Sequence, residues 1–247
     1  MDYNKNFIDL VSELCSFQSE LNFIKQNNQV VLRAKEENTK IAYTLYAPEN
    51  YFDFPGDYLG FYDFTEFRKY FKIYDNPNKD TELADAPILD VNFTESGNIY
   101  QVLIKSSKSN QQLKCTTAPR GILEDPNFNG VKLPSVDATL NMSVAQIDNL
   151  KKMISIIKPA SVKMTFKNDV CEISFENIVN HNEFTCVYNL TKPIDDTFVV
   201  ETDIIGINGL PSGDYEVNVC NRGYLHYHQV RADDIDLNLY VSKIKKR

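Results

Sequence analysis

The sequence predicts an α+β chain in which one plan, two helices laid on one face of a β-sheet, is used twice in tandem. Three observations lead there. An amphipathic helix stands ahead of a series of strands in the region 143–190. The same succession of apolar and turn-forming positions occurs 140 residues earlier. Between the two runs lies 116–139, TTAPRGILEDPNFNGVKLPSVDAT, which holds three prolines and two glycines and shows neither helical nor strand period.

The helix over 143–158 follows from its start signal and its spacing. Ser143 with Gln146 three residues on forms a capping box. Val144, Ile147, Leu150, Ile154 and Ile157 recur at the helical interval, while Asp148, Lys151, Lys152 and Ser155 take the other side. Pro159 closes it. SVKMTF and VCEISFE then flank the turn signal Lys167-Asn168-Asp169 and predict a hairpin over 161–166 and 170–176. EFTCVYNL (183–190) and TFVVE (197–201) add two strands, and Asp203 to Asn208 forms a short helical patch. GLPSG ends that patch: Gly209 is expected to adopt the left-handed terminal conformation, Pro211 to block extension, and Gly213 to open the turn. Strands over 213–220, 223–230 and 235–242 finish the chain.

Subtracting 140 recovers the same order. Phe7, Leu10, Leu14 and Phe17 fall on Ile147, Leu150, Ile154 and Ile157. Val30 after Asn27-Asn28 falls on Val170 after Asn168-Asp169, and Asp63, Phe64 and Phe67 fall on Asp203, Ile204 and Ile207. Residue identity is barely shared; apolar class and turn chemistry are, at one offset. Each half reads helix, four strands, helix, three strands, and the chain is an internal duplication. The expected division is a first domain at 1–117, a connector at 118–139 and a second domain at 140–247.

Composition narrows the function. With 43% hydrophobic residues in 247, a proper core is available, and 15 Phe and 14 Tyr without Trp suit sheet-rich packing. The net charge of −8 excludes a generally basic nucleic-acid binder, so any DNA contact requires basic residues gathered on one face. Five scattered cysteines without a CxxC pair indicate reduced, mostly buried thiols. The opening MDYNKNF is no signal segment, and no apolar run approaches the ~18 residues of a membrane span, so a soluble cytoplasmic chain is expected. Chemistry-bearing patterns are weak. His226 and His228 share one face of a strand without a third ligand, and Asp233, Asp234 and Asp236 lack the glycine and final glutamate of a calcium loop. Ser beside Gly occurs without the GxSxG elbow. No enzyme, cofactor or metal is expected.

The tandem plan, with FIDLVSELCSFQSELNFIKQNNQVVLRAKEENTKIAYTLYA, FYDFTEFRKYFKIYD, SVAQIDNLKKMISIIKPASVKMTFKNDVCEISF and GLPSGDYEV in that order, resembles the DNA sliding clamps, the polymerase processivity factors. Among them it is similar to the two-domain clamps of T-even-type bacteriophages, which share their fold with proliferating cell nuclear antigen. The resemblance implies a homotrimeric ring whose twelve helices line a central hole. Such a ring encircles duplex DNA without sequence preference and tethers a replicative DNA polymerase. A clamp-loader ATPase and late-transcription factors are its further implied partners. Lys151, Lys152 and Lys158 on the third helix and Arg68, Lys69 and Lys72 on the second are then the residues expected to face DNA. The first helix departs from that pattern, presenting Asp9, Ser12, Glu13 and Ser16 with only Lys5. Lys243, Lys245, Lys246 and Arg247 are expected to be a solvated tail. Clients of such clamps dock a short apolar peptide, for which Ile122, Leu123, Val131, Leu133 and Tyr240 are the candidates. Subunits are expected to join through strand edges near Gln112–Thr116 and Glu183–Leu190. The alternative from another class is a β-rich virion or tail ring protein.

Overall fold

The computed structural model describes residues 1–36, 41–74, 87–106, 110–123, 132–231 and 233–244. Its elements run β1 (Asp2–Tyr3), α1 (Lys5–Leu14), β2 (Leu21–Gln26), β3 (Gln29–Glu36), β4 (Ile41–Pro48), a 3-10 turn (Glu49–Tyr51), β5 (Phe52–Asp53), β6 (Tyr58–Phe61), α2 (Phe64–Tyr74), β7 (Ile88–Phe93), β8 (Ile99–Lys105) and β9 (Gln112–Ala118). They continue β10 (Ala138–Met142), α3 (Val144–Ile157), β11 (Ser161–Lys167), β12 (Val170–Glu176), β13 (Glu183–Asn189), β14 (Phe198–Asp203), α4 (Ile205–Asn208), β15 (Asp214–Cys220), β16 (Tyr224–Val230) and β17 (Asp236–Ser242). The fold is α+β, and both halves run helix, strands, helix, three strands, each with a strand ahead of its first helix; the second half has the expected four strands between its helices, whereas the first has five, because the two-residue β5 pairs with β1. Two compact units result: Met1–Ala34 with Tyr46–Pro126, and Lys35–Leu45 with Asn127–Arg247. The excursion of Lys35–Leu45 into the second unit has no counterpart in the linear division of the sequence.

In the first unit the strands lie in the order β3-β2-β6-β9-β8-β7. α1 starts at Asn4, whose Oδ1 accepts the Phe7 N–H at 3.2 Å, and buries Phe7, Ile8, Leu10, Val11 and Leu14. The β2–β3 hairpin turns on Asn27 and Asn28 at φ 52° and 61°, the left-handed pair that a tight hairpin needs. At the centre sits Phe23, fully buried, its ring 4.9 to 6.4 Å from those of Phe52, Phe64, Phe61 and Phe7. α2 is capped by Asp63, whose Oδ1 accepts the N–H of Thr65 at 2.8 Å. It packs on α1 and on β8 and β9.

In the second unit one group of strands is ordered β10-β15-β16-β17 and another β13-β12-β11-β14. The capping box of α3 is present: Ser143 Oγ accepts the Gln146 N–H at 3.4 Å, and Gln146 Oε1 accepts that of Ser143 at 2.7 Å. Ile147, Leu150, Ile154 and Ile157 are its buried stripe. The helix ends with Lys158 in the left-handed conformation at φ 55°, just before Pro159. α3 packs on α4 and β13.

The GLPSG stretch works differently from its expected role at one position. Gly209 is right-handed, at φ −83°, because its N–H continues the helix by donating to Ile205 O at 2.9 Å; Pro211 then ends the run. Gly213 is required for space: a Cβ there would lie 2.3 Å from Gln229 Nε2. Gln229 is buried and donates to Ser212 O at 2.9 Å and to the Tyr215 hydroxyl at 3.1 Å, while that hydroxyl donates to Pro211 O at 2.7 Å. Gly213→Ala is therefore expected to displace Gln229 and lower stability by about 1–3 kcal/mol, read from urea unfolding.

Candidate nucleic-acid interface and docking groove

The six predicted cations divide into two groups. Lys69, Lys72, Lys152 and Lys158 are exposed. Each long helix also exposes one isoleucine a turn beyond its lysine: Ile73, 60% exposed, follows Lys69, and Ile156, 59% exposed, follows Lys152. The pairing of cation with exposed apolar side chain is thus repeated on α2 and α3.

Arg68 and Lys151 are held inside the protein surface. Arg68 is only 8% exposed; its Nη2 pairs with Asp9 Oδ1 on α1, and its guanidinium lies 5.3 Å from the centre of the Phe71 ring. This corrects its expected place on the DNA-facing side, because a guanidinium committed to a carboxylate and a ring has little to offer a phosphate. The same contact accounts for Asp9 on the first helix: its charge is matched within the unit. Asp9→Ala is expected to lower stability by about 1–2 kcal/mol, a figure reduced from that of a fully buried pair because Asp9 is partly open to water. Lys151 is half-buried, and its ammonium donates to Leu210 O just past the end of α4. It bridges the two helices of its unit.

Strand edges form the second feature. Terminal strands are templates for unwanted pairing, and most here are blunted. β7 carries a register shift at Asn92/Phe93 and receives the Met1 amine on Leu89 O at 3.1 Å. β10 receives the Thr191 N–H on Thr139 O, and β14 the Ile244 N–H on Glu201 O. Among the described residues nothing similar covers the outer edge of β13. Among the described residues β9 is paired to β6 only at Thr117 and Ala118, and nothing there covers the same edge of Gln112–Thr116. These are the stretches expected to join subunits.

The third feature is a groove of 560 Å³ in the second unit, lined by Ile41, Leu133, Pro134, Tyr224 and Tyr240, with Lys35 and Lys132 also at its wall. The structure thus brings together Leu133 and Tyr240. Ile41 was missed by the sequence reading, since only the excursion of Lys35–Leu45 places it there. Ile122 is exposed in the first unit, whereas Leu123 is buried, which removes it from any docking surface. Val131 lies outside the described residues.

Behind Tyr240, His226 stacks on its ring at 4.6 Å and 8°, with Nε2 2.8 Å from Asn238 Oδ1; the His228 ring is 6.3 Å away, and its Nε2 lies 3.3 Å from Asp236. Burial lowers the His226 pKa from its ordinary 6.5. The unfolded chain therefore takes this proton first as pH falls. The contribution of neutral His226 is complete above pH 6.5 and declines below it. The melting temperature is expected to fall as pH drops below 6.5, and His226→Phe to flatten the fall.

No family model matches the chain, and no curated protein matches it. Solved structures do. Proliferating cell nuclear antigen of Entamoeba histolytica is 17% identical, with a TM-score of 0.70 over 97% of this chain and 95% of that one. The same antigen of A. fulgidus, solved with the C-terminal region of FEN-1 bound, is 10% identical at TM-score 0.70, covering 99% and 98%. That of Thermococcus kodakaraensis is 14% identical at 0.69, covering 98% of each chain. The fold is the clamp fold of this antigen.

Proposed function

We propose that this chain is a DNA sliding clamp, a non-enzymatic processivity factor whose copies close head to tail into a ring around duplex DNA. The observation that carries the reading is the pair of open strand edges, β13 in one unit and Gln112–Thr116 of β9 in the other, in a chain that has the clamp fold along nearly its whole length. A heterologous pair of edges on one molecule builds a ring when the rotation closes, and three copies is the expected number.

Within the ring the helices line the hole, and Lys69, Lys72, Lys152 and Lys158 hold the duplex through phosphates alone. Exposed ammonium groups on long side chains exchange phosphate partners easily and read no base edges, which suits a ring that moves. The exposed Ile73 and Ile156 offer no hydrogen bond and so no fixed register. The partners are a replicative polymerase and a clamp-loading ATPase in the cytoplasm, with late-transcription factors as further clients if the chain is of the T-even phage type. The A. fulgidus antigen takes the C-terminal region of FEN-1; here the apolar groove is the place for an equivalent client segment, with Tyr240 at its wall. Tyr240→Asp is expected to weaken capture of the polymerase at least tenfold without changing ring mass.

The test of the reading is topological. The protein loaded on nicked circular DNA should stay bound at a salt concentration that strips ordinary DNA binders, and should leave when the circle is cut. Light scattering should give a mass of about three chains. Loss from intact circles at the same rate as from linear DNA, or assembly into large particles indifferent to DNA, rejects it.

A further inference from the structure

We infer that the copies meet in one register, with Glu183 of β13 opposite Thr116 of a neighbour's β9, and that the neighbour's Lys114 there neutralises the carboxylate pair Glu176–Glu183. The inference rests on the ring reading and goes beyond it in naming the contacts.

The β12–β13 register places Glu176 directly across from Glu183, both exposed. Like charges in directly opposed positions disfavour the hairpin that carries them. Among the described residues neither carboxylate has an ion-pair partner, and neither has exposed Lys114 at the middle of the open stretch of β9. An unrelieved repulsion on one open edge and an unpaired cation on the other are complementary.

Two constraints fix the register. The first is the pleat. Leu113 and Cys115 are turned inward on β9, as Phe184, Cys186 and Tyr188 are half-buried on β13, while Gln112, Lys114 and Thr116 are exposed, as are Glu183, Thr185 and Val187. Among the described residues the strand pairings are antiparallel, and an antiparallel joint that slipped by one residue would set Lys114 against Phe184 on the inner face. The second is β6, which already occupies Thr117 and Ala118 and so stops an incoming strand at Thr116. The register that uses β13 from its first residue without meeting β6 sets Glu183 opposite Thr116. Phe184 then faces Cys115, Thr185 faces Lys114, Cys186 faces Leu113, and Val187, 57% exposed alone, is covered by Gln112. Lys114 lies diagonal to Glu183 at roughly 7–8 Å along the backbone, a distance its side chain spans, with Glu176 next in line.

The test is the self-association of the full chain by sedimentation equilibrium. Lys114→Glu and Glu183→Lys are each expected to raise the dissociation constant on the order of tenfold, with melting curves showing both variants folded. The double variant Lys114→Glu with Glu183→Lys should return to within about threefold of the parent. A defined oligomer indifferent to both single reversals, or reversals whose effects add without rescue, overturns this register and leaves the ring standing. A parent chain that stays monomeric at tens of micromolar (about a thousandfold above a tight ring's dissociation constant) overturns both.

Discussion

The quadruple variant Lys69→Glu, Lys72→Glu, Lys152→Glu and Lys158→Glu is expected to keep its fold and its self-association and to lose its hold on duplex DNA. All four side chains are exposed, so reversing them disturbs no buried contact. Four reversals of two charges each take the net charge of the chain from −8 to −16, and three chains in a ring multiply the change. Because phosphate contacts supply nearly all of sequence-independent affinity, the dissociation constant for duplex DNA should rise on the order of a hundredfold or more at about 0.1 M salt, and the salt dependence should flatten. Fluorescence anisotropy with a labelled duplex over a salt series reads both quantities. Lys163→Glu with Lys167→Glu, exposed on β11, removes the same kind of charge from a strand and should leave DNA affinity within about twofold once overall charge is allowed for. If the two variants behave alike, the helix lysines are not the DNA-facing groups.

Phe23→Ala should have the largest effect on stability. The ring has no exposure and is surrounded by Phe7, Phe52, Phe61 and Phe64, which come from α1, β5, β6 and α2. Truncating it leaves a cavity that four rigid rings from four elements fill poorly, at about 3–5 kcal/mol. That is a large share of the ~5–15 kcal/mol that holds an ordinary domain folded. Hydrogen exchange should show loss of protection through the first unit while β15, β16 and β17 of the second stay protected. Equal loss in both units, or a change under about 1 kcal/mol in denaturant unfolding, would contradict the central place given to this ring.

The helix over 143–158 and the hairpins were legible because their determinants act over a turn or two. The Ser143–Gln146 box, the Ile147-Leu150-Ile154-Ile157 stripe and the turn at Asn27-Asn28 are each complete within a few residues. The repeat was legible for the same reason, since an offset of 140 compares one local pattern with another. Gly209 shows the limit even at short range. A glycine after a helix suggests a left-handed stop, but the N–H of Gly209 still had Ile205 O within reach, and Pro211 made the stop two residues later.

The sequence by itself determined the α+β plan, its duplication, and a supply of lysines on the polar sides of two helices. Only the tertiary structure decided which cations remain available. Arg68 and Lys69 are neighbours on one helix, yet one is committed to Asp9, 59 residues away, and the other faces solvent. Lys151 and Lys152 divide in the same way over Leu210 O. The open edges were likewise decided by strand order, since the free backbone of β13 depends on what lies beside it and not on its own side chains. The physical reason is common to all of these: helical period and turn geometry are set by covalently near neighbours, whereas burial, ion pairing and edge exposure are set by residues that only folding brings close.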